Sequence, residues 1–198
     1  AADNAITAAP TSGATITVDN TTPTASLAYT ISSSAVTAVK QGNTVTITAT
    51  FNEDIADSPV MQISGSGVET ISATDMTKAS ATSYTYSWTA PAGNGTQTFA
   101  LATGTDAAGN AITAAPTSGA TITVDNTAPT AALAYTVGSS AVTTVKQGNT
   151  VTITATFNEN IADSPVMQIS GSGVEAISAT NMTKASATSY TYSWTAPA

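Results

Sequence analysis

Apolar and polar residues alternate strictly over residues 44–51, with Val45, Ile47, Ala49 and Phe51 on one side and threonines on the other. The same period of two returns at 83–88 with Tyr84, Tyr86 and Trp88, at 96–103 with Phe99 and Leu101, and at 121–124 with Ile122 and Val124. Successive side chains of a strand point to opposite faces, so this pattern predicts strands with one buried face. No stretch carries a sustained i, i+3, i+4 apolar pattern. Turn signals punctuate the runs at Gln41-Gly42-Asn43, Gly65-Ser66-Gly67, 91–95 and Ala107-Ala108-Gly109-Asn110. The predicted strands are 24–31, 44–51, 59–64, 68–73, 82–89, 96–103 and 119–125. About seven short strands in some 100 residues indicate an all-β sandwich of two sheets packed face to face. Tyr84, Tyr86, Trp88 and Phe99 keep step with the alternation and are therefore expected in the core.

The whole pattern repeats. Residues 5–20, AITAAPTSGATITVDN, return unchanged at 111–126, TVTITATFNE at 44–53 returns at 150–159, and SYTYSWTAPA at 83–92 returns at 189–198. The shift is 106 throughout, and residues 1–92 differ from 107–198 at nine positions, among them Asp3/Gly109, Thr22/Ala128, Asp54/Asn160 and Asp75/Asn181. A period of 106 is too long for a solenoid coil and suits a self-sufficient domain. The expected organisation is a last strand of a preceding repeat at 1–20, a complete domain at 21–126, and a second domain at 127–198 lacking its last two strands. Residues 93–106, GNGTQTFALATGTD, occur once. A longer repetitive polypeptide is the expectation.

Composition narrows the function. Of 198 residues only 8% are charged, the net charge is −8, and 41 are threonine, so hydroxyls supply the solubility. Arg, His and Cys are absent, which removes disulfides, thiol nucleophiles, Ser-His-Asp triads and imidazole metal sites. Four scattered lysines cannot make a phosphate-binding face, so nucleic acid is not an expected partner. The longest apolar runs are too short to cross a bilayer. An acidic, Thr-rich, basic-poor chain fits an extracellular location at the cell surface.

VDNTTPT at 18–24 and VDNTAPT at 124–130, with TDAAGN at 105–110 and TATFNE at 48–53, resemble the bacterial Ig-like repeat domains of giant extracellular surface and adhesin proteins. The resemblance implies tandem Ig-like β-sandwich domains serving as extracellular spacers or adhesin modules, often stiffened by calcium. The chain departs from antibody-type domains in having no Cys pair and in carrying its tryptophan on the fifth strand.

Catalysis is not expected. Two carboxylates alone suffice for glycoside hydrolysis, but Asp54 and Asp75 become Asn in the next repeat, and no long insertion walls off a cleft. Calcium needs six to eight oxygens. In Ig topology the start of the first strand, the second-to-third-strand loop and the sixth-to-seventh-strand loop share one end. Asp19, Glu53, Asp57, Asp106 and Asn110 are thereby expected to gather at one joint, and Asp125, Glu159 and Asp163 at the next. The bland reading is that Asp19 and Asp125 serve turn amides and that Asp106 caps the A-A-G-N turn. The expected role is a stiff extracellular rod or fibre whose partners are neighbouring Ig-like repeats. Two alternatives are a self-assembling filament subunit using head-to-tail strand addition and a ligand-binding adhesin module.

Overall fold

In the strand 44–51 the outward threonines stay at the surface while Val45, Ile47, Ala49 and Phe51 are buried, as a one-sided strand requires. The computed structural model describes residues 15–198 together with Ala9, Ser12 and Gly13. The chain is all-β among these residues and divides into two compact units, Ala1–Asn126 and Thr127–Ala198.

Unit 1 holds β1 (Ala25–Ile31), β2 (Ser34–Ala35), β3 (Ala38–Val39), β4 (Thr44–Phe51), β5 (Gln62–Ser66), β6 (Ile71–Asp75), β7 (Thr77–Lys78), β8 (Ser83–Thr89), β9 (Gly95–Leu101) and β10 (Thr121–Val124). They form two five-stranded sheets in the orders β2-β1-β4-β8-β7 and β3-β10-β9-β5-β6. Neighbours in both sheets are antiparallel except β3 and β10, where Val124 lies opposite Val39 in a parallel pair. The sheets meet through their inward rows. Phe99 packs edge-on against Trp88 at 5.3 Å between ring centroids and at a 44° tilt against Tyr29 at 6.0 Å, joining one sheet to the other. Leu27, Ile47, Ile63, Leu101, Ile122 and Val124 complete the dry interior.

Most strand positions agree with the alternation to within two residues. The third and fourth strands, expected at 59–64 and 68–73, instead span Gln62–Ser66 and Ile71–Asp75. The proline at 59 has no N–H for a ladder, which delays the start. Gly65 and Ser66, read as part of a turn, lie inside β5, where the register with β6 shifts between Ile63 and Gly65. The turn begins at Gly67 (φ 126°), where a β-carbon would sit 2.2 Å from the Thr96 carbonyl oxygen. Only glycine fits there.

Unit 2 holds β11 (Ala131–Val137), β12 (Ser140–Ala141), β13 (Thr150–Phe157), β14 (Gln168–Gly171), β15 (Ile177–Asn181), β16 (Thr183–Ser186) and β17 (Ser189–Thr195). Its first sheet, β12-β11-β13-β17-β16, matches that of unit 1, with Tyr135 opposite Ile153 as Tyr29 is opposite Ile47. Its second sheet has two strands, β14 and β15. Among the described residues no strand stands where β9 and β10 stand in unit 1. Ala155, Met182 and Tyr190 form a small core there, with Phe157 edge-on to Tyr190. Residues 15–20 join no sheet, and most of 1–14 lies outside the described residues.

Candidate functional site

The acidic residues expected at one end of the first domain come from three separate loops. Asp19 precedes β1, Glu53 follows β4, and Asp106 follows β9. One carboxylate oxygen from each lies within 4.8 Å of the others. The loops converge because backbone pairing draws them together: Ile55 bridges Asp106 and Ala56 N–H donates to the Thr105 carbonyl, while Asn52 N–H donates to the Thr24 carbonyl and Thr113 N–H to the Pro23 carbonyl.

Asp106 is the buried member, and it organises the turn. Its Oδ1 accepts the Asn110 N–H at 2.8 Å and its Oδ2 accepts Asn110 Nδ2 at 2.7 Å. Burial acts to raise the pKa of the Asp106 carboxyl. The Asn110 side chain and the amides of Asn110, Gly109 and Ala108 outweigh burial by hydrogen bonding the charged form, so the net shift is downward. Asn110 Nδ2 also donates to the Asp19 carbonyl at 3.0 Å, which fixes the chain entering β1 against the turn leaving β9. The Asp19 carboxylate accepts the Thr21 N–H at 2.9 Å. Asn52 Oδ1 accepts the Thr24 N–H at 2.7 Å, and Asn52 Nδ2 reaches Glu53 Oε1 at 3.4 Å.

Three carboxylates around an open hollow lined also by Thr17, Asp54, Ala107 and Ala108 make a hard-oxygen donor set. Its chemistry suits a hard divalent cation. The turn already directs four donors at the Asp106 carboxylate, the Asn110 side chain and the amides of Asn110, Gly109 and Ala108, which leaves Asp19 and Glu53 the freer oxygen donors of the three.

Asp57, expected in the same set, is not in it: it forms an ion pair with Lys78, and Asp163 pairs with Lys184 in the same way. These aspartates point across to the short strands β7 and β16, and both lysines have pKa values raised by that hydrogen bond. In unit 1, Asp125 donates its N–H to the Val39 carbonyl at 2.8 Å, continuing the β10 ladder. In unit 2, Glu159 Oε1 is buried without a hydrogen-bond partner, while the neighbouring Asn158 repeats the Asn52 bond, to Thr130 N–H at 2.7 Å.

Sequence reasoning passed over one polar residue that holds unit 1 together. Gln97 is fully buried, accepting the Glu69 N–H at 2.9 Å and donating to the Glu69 carbonyl at 2.9 Å. Glu69 in turn accepts Trp88 Nε1–H at 3.1 Å. The signal was available: Gln97 occupies the same face of β9 as Phe99 and Leu101, where a polar residue demands a partner.

No protein-family model, curated protein or solved structure matches the chain.

Proposed function

We propose that the chain is a stretch of an extracellular structural rod built from Ig-like modules, with no catalytic role. The observation that carries this reading is near-identity of consecutive repeats: nine differences in 92 aligned positions, with the V-D-N-T-x-P joint present at both 18–23 and 124–129. A recognition site gains little from an unvaried copy beside it, whereas a spacer needs only length. The sheet orders β2-β1-β4-β8 and β3-β10-β9-β5, with the short parallel β3–β10 pair, support the Ig-like part of the reading. The Asn-Thr-x-Pro joint favours stiffness, because proline fixes φ and leaves few rotatable bonds between modules.

Calcium belongs to the same proposal as a stiffening ion. Its support is the family resemblance and the hard-oxygen chemistry of Asp19, Glu53 and Asp106.

Small-angle scattering on proteins of two, four and six repeats tests the rod. The maximum dimension is expected to grow in proportion to repeat number; growth as roughly the square root, the law for a flexible chain, overturns the reading. Repeating the series with calcium and with EDTA tests the ion. Calcium is expected to raise the melting temperature of unit 1, and Asp19→Ala with Glu53→Ala to remove that rise.

A further inference from the structure

We propose that unit 1 is built to bear tension: its first and last segments lie side by side in one direction, so a pull along the chain loads the bonds between them in shear. The proposal rests on the rod reading only for the source of the pull. It is tested by unfolding force where that reading is tested by length, so either can fail alone.

Segments 19–41 and 110–126 are tied together from one end of the sandwich to the other. At the acidic end, Asn110 Nδ2 donates to the Asp19 carbonyl at 3.0 Å and Thr113 N–H to the Pro23 carbonyl at 2.9 Å. Along β1, Thr117 N–H donates to the Ala25 carbonyl at 2.7 Å and Leu27 N–H to the Ser118 carbonyl at 3.0 Å. The Tyr29 hydroxyl adds a side-chain link, donating to the Gly119 carbonyl at 2.6 Å. Along β3, Thr123 N–H donates to the Thr37 carbonyl at 3.1 Å and Asp125 N–H to the Val39 carbonyl at 2.8 Å.

At the far end the Asn126 side chain accepts the Gln41 N–H at 2.5 Å and donates to the Gly93 carbonyl. Residue numbers rise together on the two sides of every link. The Ser26–Ser118 bridge and the β3–β10 pair are accordingly both parallel. Ala25, Leu27, Tyr29, Val39 and Val124, which flank the links, are buried, so sliding one segment along the other also strips apolar surface from the core.

Direction turns this pairing into a clamp. The polypeptide enters unit 1 through 18–24, at the end that holds Asp106, and leaves at Asn126, at the end that holds Gln41 and Gly93. Tension between those points draws the first segment one way and the last segment the other, along the line of the strands. Every link is displaced by the same sliding, so the links resist together. Pulled apart from one end, the same two segments would peel open one bond at a time. Survival under force is set by the unfolding rate, which the slowest route of separation governs.

Single-molecule pulling on the 198-residue chain is the experiment. The chain has no cysteine, so introduced pairs give unique handles. Ile16→Cys with Ala128→Cys pulls along the chain, and Gln41→Cys with Ala128→Cys pulls from one end and peels β3 from β10. All three positions are exposed. At equal loading rate the first geometry is expected to unfold at a several-fold higher force than the second. Tyr29→Phe removes the link to Gly119, and Thr117→Ala removes a side-chain bond to the Ala25 carbonyl at 3.1 Å. Each is expected to raise the unfolding rate at fixed force in the first geometry by roughly fivefold, the worth of one hydrogen bond. Ile63→Val, on β5 and outside both segments, has a similar equilibrium cost and is expected to leave that rate unchanged. Equal unfolding forces in the two geometries overturn the proposal. So does an Ile63→Val chain that weakens as much as Tyr29→Phe, because force would then report overall stability and not the two segments.

Discussion

Leu27 and Leu133 hold the same place in two nearly identical repeats, yet Leu27 is 5% exposed and Leu133 51%. Tyr29 and Tyr135 differ in the same way, at 6% and 43%. The strands that carry them are the same length, pair with the same neighbours and keep the same register. What differs is the layer above them. In unit 1, β9 and β10 lay Phe99, Leu101, Ile122 and Val124 across that face, and no described residue of unit 2 does so. Local pattern therefore decides that a strand forms and which way it faces. Burial is decided by strands far along the chain, and most of the hydrophobic free energy arrives only with them.

This comparison predicts that equivalent substitutions have unequal effects, and tryptophan gives the largest difference. Trp88 is buried against Phe99 and bonded to Glu69, so Trp88→Ala is expected to cost about 3–5 kcal/mol in the unfolding of unit 1. Trp194 keeps a bond to Glu175 at 3.3 Å but is only half-buried, with no aromatic neighbour across the sandwich. Trp194→Ala is expected to cost a fraction as much. Denaturant unfolding of the two variants checks this, and equal losses break the comparison.

A glycine pair sharpens it. A β-carbon on Gly65 would lie 2.8 Å from Gln97 Nε2 and 3.3 Å from a Phe99 ring carbon, because β9 packs directly over it. On Gly171 the nearest atom would be Ile177 Cδ1 at 3.7 Å, an ordinary contact. Gly65→Ala is expected to destabilise unit 1 by about 1–3 kcal/mol through overpacking and loss of the Gln97 bonds. Gly171→Ala is expected to leave the melting of unit 2 within about 0.5 kcal/mol of wild type. A Gly65→Ala protein that melts like wild type would mean that β9 does not press on β5 as described.

The glycine pair also marks what the sequence made legible. The period of two exposed β4, β8, β9 and β10 directly, because each alternates for at least four residues with bulky apolar side chains. β2, β3 and β7 have two residues each, too few for any period to show, and they form because longer neighbours offer them a ladder. Gly65 reads as a turn residue in the sequence because glycine signals both turns and close backbone approach, and only the position of β9 tells which applies. Within the acidic set, Asp19, Glu53 and Asp106 are brought together by backbone pairing between distant loops. Asp57 departs because Lys78, twenty-one residues on, lies on the adjacent short strand. That partner is chosen by the reach of the Lys78 side chain from β7, which sequence spacing does not record.

The smallest expected effect uses the same two units and varies pH. The Asp106 carboxyl has its pKa lowered from 3.8 in unit 1, and no described residue of unit 2 is its counterpart. A lowered folded-state pKa means that the ionised form stabilises the fold. That contribution is full above the unfolded value and disappears as pH falls through the folded value. Asp106→Asn keeps the shape of the side chain while removing the charge that accepts from Asn110 and from the turn amides. The melting temperature of unit 1 is therefore expected to drop on substitution by an amount that is constant above about pH 5, shrinks through the acid range and closes once wild-type Asp106 is itself protonated. The transition of unit 2, measured in the same scans, is expected to be identical in the two proteins at every pH. A gap in unit 1 that persists undiminished at the lowest pH would assign the role of Asp106 to packing, and a gap that widens there would reverse the sign of the shift.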